Sequence, residues 1–297
     1  IFTVTKIGAL LGLAVVGIIV GLNPDKGVWA INAIDFWSPV KIIWEKGKIM
    51  DYEYLSGIGL WSAVGLALIG PLFSSSAWNN VTYIAGEMKN PKRDIPLSLL
   101  YGTLTVSALY ILANVAYLML LPVQGHPNAP DTLSRGIMFA TNDRVGTAAA
   151  EMIFGNPAAI IMAVFIMIST FGCNNGFILS GARVYYAMAK NGLFFKKAGE
   201  VNKNGVPGFS LIIQGVWASL LCLSGTYGDL LDYTVFSILV FYILTIGGVF
   251  ILRKKQPDTP RPYKAFGYPL IPAIYLIFAA GLCINLLIYK PIPSWAG

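Results

Sequence analysis

The chain is short of charge, of histidine and of cysteine. Only 12% of its 297 residues are Asp, Glu, Lys or Arg, whereas 56% are hydrophobic, which leaves too little polar surface to coat a soluble domain of this length. A single histidine, His126, and three scattered cysteines, Cys173, Cys222 and Cys283, argue against a zinc cluster or a disulfide framework. There is no CxxC spacing, and each cysteine falls in an apolar run. Also missing are paired carboxylates within a span, a glycine-rich phosphate loop, and a nucleophile with its base in one motif. Enzyme chemistry has no foothold: no catalytic residue is assigned, and no metal or cofactor is called for. Nor are there the short alternating segments of a membrane barrel.

What is present is a series of long apolar runs, with a mean hydropathy of +0.66. A helix needs about 20 apolar residues to cross a hydrocarbon core about 30 Å thick. Seven spans are expected, at about residues 1–22, 55–85, 97–121, 157–189, 209–224, 230–252 and 268–289, giving an all-α, polytopic membrane bundle in a single transmembrane domain, 1–297. Ile1 opens inside an apolar run and KPIPSWAG closes where another span could begin, so both ends read as cuts. Residues 23–54 read as a polar loop carrying Trp29, Phe36, Trp37 and Trp44, rings suited to the headgroup boundary, with room for a short interfacial helix. Residues 122–155 read as a long mixed loop.

The formal charge of +7 is sorted along the chain. Thirteen Lys and Arg fall after the second, fourth and sixth spans or on the approach to them, seven on the opposite side, and Lys6 lies within a span. The positive-inside rule then puts the visible N-terminus in the cytoplasm and the visible C-terminus outside, in a plasma (inner) membrane. Charge so distributed gives no reason to invoke nucleic acid. The turns MKNPKRDIP and RKKQPDTPRP read as orientation determinants and solvated caps. Glu87 and Asp94 beside Lys92 and Arg93 form at most a surface latch worth about 0–1 kcal/mol. Asp229 and Asp232 read as a helix cap in a short outer turn.

The segment 55–85, about 31 residues, is longer than one straight crossing needs. It is interrupted by Gly70-Pro71 and then by Ser74, Ser75 and Ser76. Pro71 lacks an N–H and its ring clashes with the carbonyl near Ala67, while Gly70 relaxes the backbone there. Two readings fit. In one, the helix is broken, and a half-helix starting near Ser74 to Ser76 aims its positive end at a carboxylate, as in many secondary transporters. In the other, the proline kinks an ordinary span and the serines bond back to their own helix. The excess length and the polar Asn79-Asn80 favour the break. Phe73 beside it is either an aromatic lid or packing.

Lys6 either snorkels to the boundary or faces a polar interior, where it is a fixed or titratable charge that can take the place of a sodium ion or serve proton coupling. The fourth segment gathers Ser169, Thr170, Gly172, Cys173, Asn174, Asn175 and Gly176 at its middle. These serve tight helix packing, a polar lining opposite the break, or both.

In these motifs the chain resembles the amino acid–polyamine–organocation superfamily, in particular its L-type amino acid transporter branch and bacterial relatives. SSSAWNNVTYIAGEMKNPKRDIP resembles the sixth transmembrane helix and the loop after it. GFILSGARVYYAMAKNGLFF resembles the eighth helix and its continuation, RKKQPDTPRPYKAFGYPLIP the loop between the tenth and eleventh, and FTVTKIGALLGL the fifth, whose lysine matches Lys6. The resemblance implies two inverted five-helix repeats plus two further helices, of which the fifth to eleventh are visible, with a broken helix six and alternating access. It also implies that the break supplies carbonyls to the substrate's amino group, that Phe73 is a gate, and that Lys6 supports sodium-independent transport by bridging toward Thr170 and Cys173. Cys173 departs from the serine often found at its position in the branch. The region that carries the disulfide to an ancillary chain in animal members lies outside this sequence, and no such partner is claimed.

The expected function is therefore sodium-independent secondary transport of neutral amino acids, by a permease or exchanger. Its partners are the amino acid and the lipid bilayer. The expected substrate-binding residues are Gly70, Pro71, Phe73, Ser74, Ser75, Ser76, Asn79, Thr170 and Asn174, with Lys6 and Cys173 as the coupling pair. The competing reading is a channel or receptor-like bundle in which Gly70-Pro71 is a gating kink. An intramembrane enzyme lacks the span-embedded acid or serine–base pair it would need.

Overall fold

The computed structural model describes residues 2–35, 37–45, 48–83, 85, 88–225, 227–261, 265 and 267–291. Glu87 of the expected latch and Phe36 of the aromatic loop therefore lie outside the described residues. The fold is all-α. Its helices are α1 (Phe2–Gly21), α2 (Trp29–Asp35), α3 (Gly57–Ala67), α4 (Ile69–Ser74), α5 (Asn80–Tyr83), α6 (Pro91–Leu120), α7 (Thr132–Arg135), α8 (Val145–Phe154), α9 (Ala158–Lys190), α10 (Gly208–Cys222), α11 (Tyr227–Lys255) and α12 (Leu270–Tyr289). Between α2 and α3 the chain forms two paired strands, β1 (Val40–Glu45) and β2 (Lys48–Tyr54), in a stretch whose sequence reads as loop and helix.

Lipid offers no partner for a backbone N–H or C=O, so apolar runs of this length must close their hydrogen bonds internally. Among the described residues, six helices are long and apolar enough to cross a membrane: Phe2–Gly21, Gly57–Ser74, Pro91–Leu120, Ala158–Lys190, Gly228–Lys255 and Leu270–Tyr289. The expected span at 209–224 is the 15-residue α10, about 22 Å long at 1.5 Å per residue. Helix α6 starts at Pro91, a residue suited to a first turn because its missing N–H would be unpaired there anyway. Pro96 thus sits inside α6, not before it. Asp94 lies in the first turn, where a carboxylate faces the positive end of the helix.

The chain divides into two compact units. One comprises residues 1–40 and 98–181, the other 41–97 and 182–297. The first unit has a core of Leu120, Leu121, Ala140, Ala148 and Ala149, with Leu13, Ala150 and Ala158 beside it. Small residues let its helices close up: a Cβ on Gly17 of α1 would stand 3.0 Å from the Cβ of Ala116 on α6. Asn32 on α2, buried, closes the end of α6. Its amide donates to the carbonyls of Leu118 and Leu121 at 2.6 and 2.9 Å, and its Oδ1 accepts from the N–H of Val123 at 2.8 Å. Carbonyls at a helix C-terminus have no partner within the helix, so one side chain here satisfies three backbone groups.

The second unit packs α4, α11 and α12 around Ile69, Val235, Leu239, Ala279, Leu282, Cys283 and Leu286. Helix α3 is tied to α12 by a reciprocal pair. Ser62 Oγ donates to Asn285 Oδ1, and Asn285 Nδ2 donates to the carbonyl of Ser62, each at 3.1 Å. Gly65 makes room for that amide, since a Cβ there would collide with Asn285 Nδ2. Asp232, expected to cap a helix in an outer turn, instead lies within α11, buried, and accepts from Lys290 Nζ at 2.6 Å.

Candidate functional site

The predicted site residues fall into two groups, one in each unit.

In the second unit, the missing N–H of Pro71 leaves the Ala67 carbonyl without its usual partner, and the helix divides there, between α3 and α4. The division is slight. Leu68 keeps helical dihedrals, φ −72° and ψ −11°, and the N–H of Leu72 reaches the carbonyl of Leu68 at 2.9 Å. The larger interruption follows Ser74, over residues 75–79, where Ala77 takes φ +69°. That left-handed conformation costs a non-glycine residue about 1–2 kcal/mol.

The serines are not at the start of a half-helix, as the sequence leads one to expect. They stand at the C-terminal end of α4. Ser74 Oγ donates to the carbonyl of Pro71 at 3.1 Å, Ser75 Oγ to the same carbonyl, and Ser76 Oγ to that of Phe73 at 2.6 Å. A helix C-terminus presents carbonyls and a negative pole, which suits an ammonium and not a carboxylate. Gly70 is exposed, and a Cβ there would point into open space. Phe73 is half-buried and packs against the Ile69–Val235 cluster. Asn79 Nδ2 donates to Tyr83 Oη at 3.0 Å, and the Trp78 ring meets Tyr242 of α11 with centroids 5.7 Å apart.

In the first unit, Lys6 is half-buried on α1 and its Nζ donates to Cys173 Sγ on α9 at 2.9 Å. Gly172 permits this approach. A Cβ there would sit 2.7 Å from the Cβ of Phe2 and 3.6 Å from Cε of Lys6. The rings of Phe2 and Phe171 close the contact, 5.6 Å apart. Thr170, nearly a turn before Cys173, turns its hydroxyl to the carbonyl of Ile166 at 2.8 Å, and Asn174 is exposed. The Lys6–Cys173 contact lies at one end of a cavity of about 680 Å³ between α1, α6 and α9. Thr3, Ser169, Tyr110 and Tyr117 also bring hydroxyls to the lining, while Leu13, Val106 and Phe165 are among its apolar residues. Lys6 is the one charged side chain among the lining residues.

Sequence reasoning missed the Ser62–Asn285 pair and the Asn32 cap. A signal was available: Asn285 is the one amide in the apolar run 270–289, and isolated polar residues in such runs face protein.

Long apolar helices, one of them interrupted, with a cation held between two others, define a polytopic α-helical membrane protein. The chain matches the family model described as "Amino acid permease" over residues 1–295, and it belongs to that family. It is 32% identical over 247 residues to the serine/threonine exchanger SteT of Bacillus subtilis (strain 168), covering 77% of this chain and 54% of that protein. It is 29% identical over 231 residues to the human b(0,+)-type amino acid transporter 1, covering 77% of this chain and 44% of the relative. To the human large neutral amino acids transporter small subunit 2 it is 29% identical over 298 residues, covering 100% of this chain and 49% of the relative. The chain thus spans about half the length of the curated relatives it matches. It is an integral, multi-pass membrane protein.

Proposed function

We propose that the full-length protein is a secondary active transporter of neutral amino acids, a permease or exchanger that works by alternating access without sodium. The observation that carries this reading is the Lys6–Cys173 contact. A lysine ammonium held between two long helices supplies a positive charge where a coupled carrier would need a bound cation to join them. The interruption after Ser74 supplies the second part. Its carbonyl end suits the substrate's ammonium, with Gly70, Pro71, Phe73, Ser74, Ser75, Ser76 and Asn79 as its proposed binding residues; Thr170 and Asn174 on α9 are the other residues proposed for the substrate. Neutral substrates are favoured because the residues proposed for the substrate include no carboxylate to hold a cationic side chain, and the names of the relatives point to the same substrate class. The charge bias along the sequence supports a cytoplasmic N-terminus in a plasma membrane. The proposed partners are the amino acid and the bilayer.

The test is transport by the full-length protein in proteoliposomes. Saturable uptake that prefers one enantiomer of a neutral amino acid, and that trans-loaded unlabelled substrate accelerates, is the expected result. Ion currents far above carrier turnover would instead mark a channel.

A further inference from the structure

Helix α9 ends at Lys190, and the chain passes through Gly192, Phe194 and Phe195 into a 3₁₀ turn, Lys196–Gly199, before α10. In sequence the stretch is a basic connection, and in the structure its turn is built in. Ala198 and Ser210 are completely buried, and Ser210 Oγ donates to the carbonyl of Ala198 at 3.1 Å. A Cβ on Gly199 would touch the Cβ of Ala189 at 3.3 Å, so the turn lies directly on the end of α9. Held this way, it presents Lys196 and Lys197, both exposed and neither in an ion pair among the described residues. Lys197 Nζ stands 5.2 Å from the centre of the Phe209 ring, and Lys190 Nζ 5.5 Å from that of Tyr186.

An apolar groove of about 390 Å³ adjoins this turn, lined by Tyr185, Phe194, Ile212, Ile213, Val216 and Trp217. Tyr185 and Phe194 stack at 5.2 Å, nearly parallel, to form one wall. Ile212, Val216 and Trp217 on α10 form the other and stay 67%, 56% and 58% exposed. Phe209, Ile213, Val216 and Trp217 follow one another along one side of α10, so the ring of Phe209 stands about one turn, roughly 6 Å, before Ile213, the first lining residue on that side.

We propose that this groove and turn form a binding site for an acidic phospholipid. The phosphate lies between Lys196 and Lys197, and the first part of an acyl chain lies along Ile213, Val216 and Trp217. Each part of the ligand has its complement: ammonium donors for the phosphate, and aromatic rings where headgroup meets hydrocarbon. A zwitterionic lipid brings its own cation toward the lysines. A second copy docked symmetrically on the same face sets lysine against lysine, which is unfavourable. None of these residues is assigned to the amino acid.

The experiment places the full-length protein in phosphatidylcholine vesicles containing increasing phosphatidylglycerol brominated in its acyl chain, and reads tryptophan quenching. The expected result is a saturable component at low phosphatidylglycerol fraction that is absent in Trp217→Phe. In the Lys196→Gln/Lys197→Gln variant it should move to a phosphatidylglycerol fraction on the order of tenfold higher. The Lys254→Gln/Lys255→Gln variant, which removes the same charge at the end of α11, should leave it in place. Equal displacement in the two double variants would show a bulk charge effect and overturn the proposal. So would equal saturation with brominated phosphatidylcholine, or quenching that tracks self-association of the protein.

Discussion

Lys6 and Cys173 are 167 residues apart in the chain and 2.9 Å apart in space, and Gly172 provides the gap that brings them together. Cys173→Ser keeps a small acceptor at the same place, so uptake by the full-length protein should stay near that of the parent. Gly172→Val fills the space now taken by Phe2 and separates α1 from α9. Overpacking of this kind costs about 1–3 kcal/mol, and should appear as a lower melting temperature together with loss of uptake. Equal activity in the two variants would mean that the contact is incidental.

The pairing of Ser62 with Asn285 predicts a structural effect with no direct role in substrate. Asn285→Leu removes both hydrogen bonds between α3 and α12, and such bonds in membrane helices contribute about 0.6 kcal/mol each on average. A modest fall in melting temperature is expected, with the apparent affinity for substrate unchanged. A shift in affinity larger than the loss of stability would assign Asn285 to the site.

Asp232 is buried while Lys290 is partly exposed, so the two halves of their ion pair are not equivalent. Lys290→Met leaves a buried carboxylate without this ammonium and should lower the melting temperature. Adding Asp232→Asn should recover much of that loss. A double-mutant cycle in thermal unfolding checks this, and strict additivity would refute the coupling.

Asp131 gives a pH signature outside the spans. Its carboxylate accepts from the N–H of Ser134 at 2.8 Å at the start of α7, and this hydrogen bond holds the carboxyl below its ordinary value. A depressed carboxyl stabilises the fold above its unfolded pKa of about 4 and loses that contribution as pH falls through the lower folded value. Amide exchange at Ser134 should therefore stay protected from neutral pH down to the ordinary carboxylate range and open only below it. Asp131→Asn, which also caps helices, should remove the pH dependence and keep most of the protection.

The all-α bundle was legible because lipid leaves so few alternatives: apolar runs of 20 to 33 residues, such as those of α1, α9 and α12, must close their backbone bonds within themselves. The strands β1 and β2 were not legible. They are short, charged at both flanks, and sit in a stretch whose aromatic residues also suit a membrane interface. The position of the helix interruption was only half legible. Pro71 marks the small division at Ala67, but the larger one depends on Ala77 adopting a left-handed conformation that alanine sequences do not announce. Contacts such as Lys6 with Cys173 and Asp232 with Lys290 depend on the packing register of distant helices. No local pattern encodes that register.

The most direct test of the central claim is the initial rate of uptake of a neutral L-amino acid by proteoliposomes of the full-length protein, with sodium present or replaced by choline, for the parent and for Lys6→Ala. The account predicts the same rate in both media for the parent, and loss of uptake for Lys6→Ala despite intact folding. A parent rate that rises with sodium, or a Lys6→Ala variant that transports as well as the parent, would contradict it.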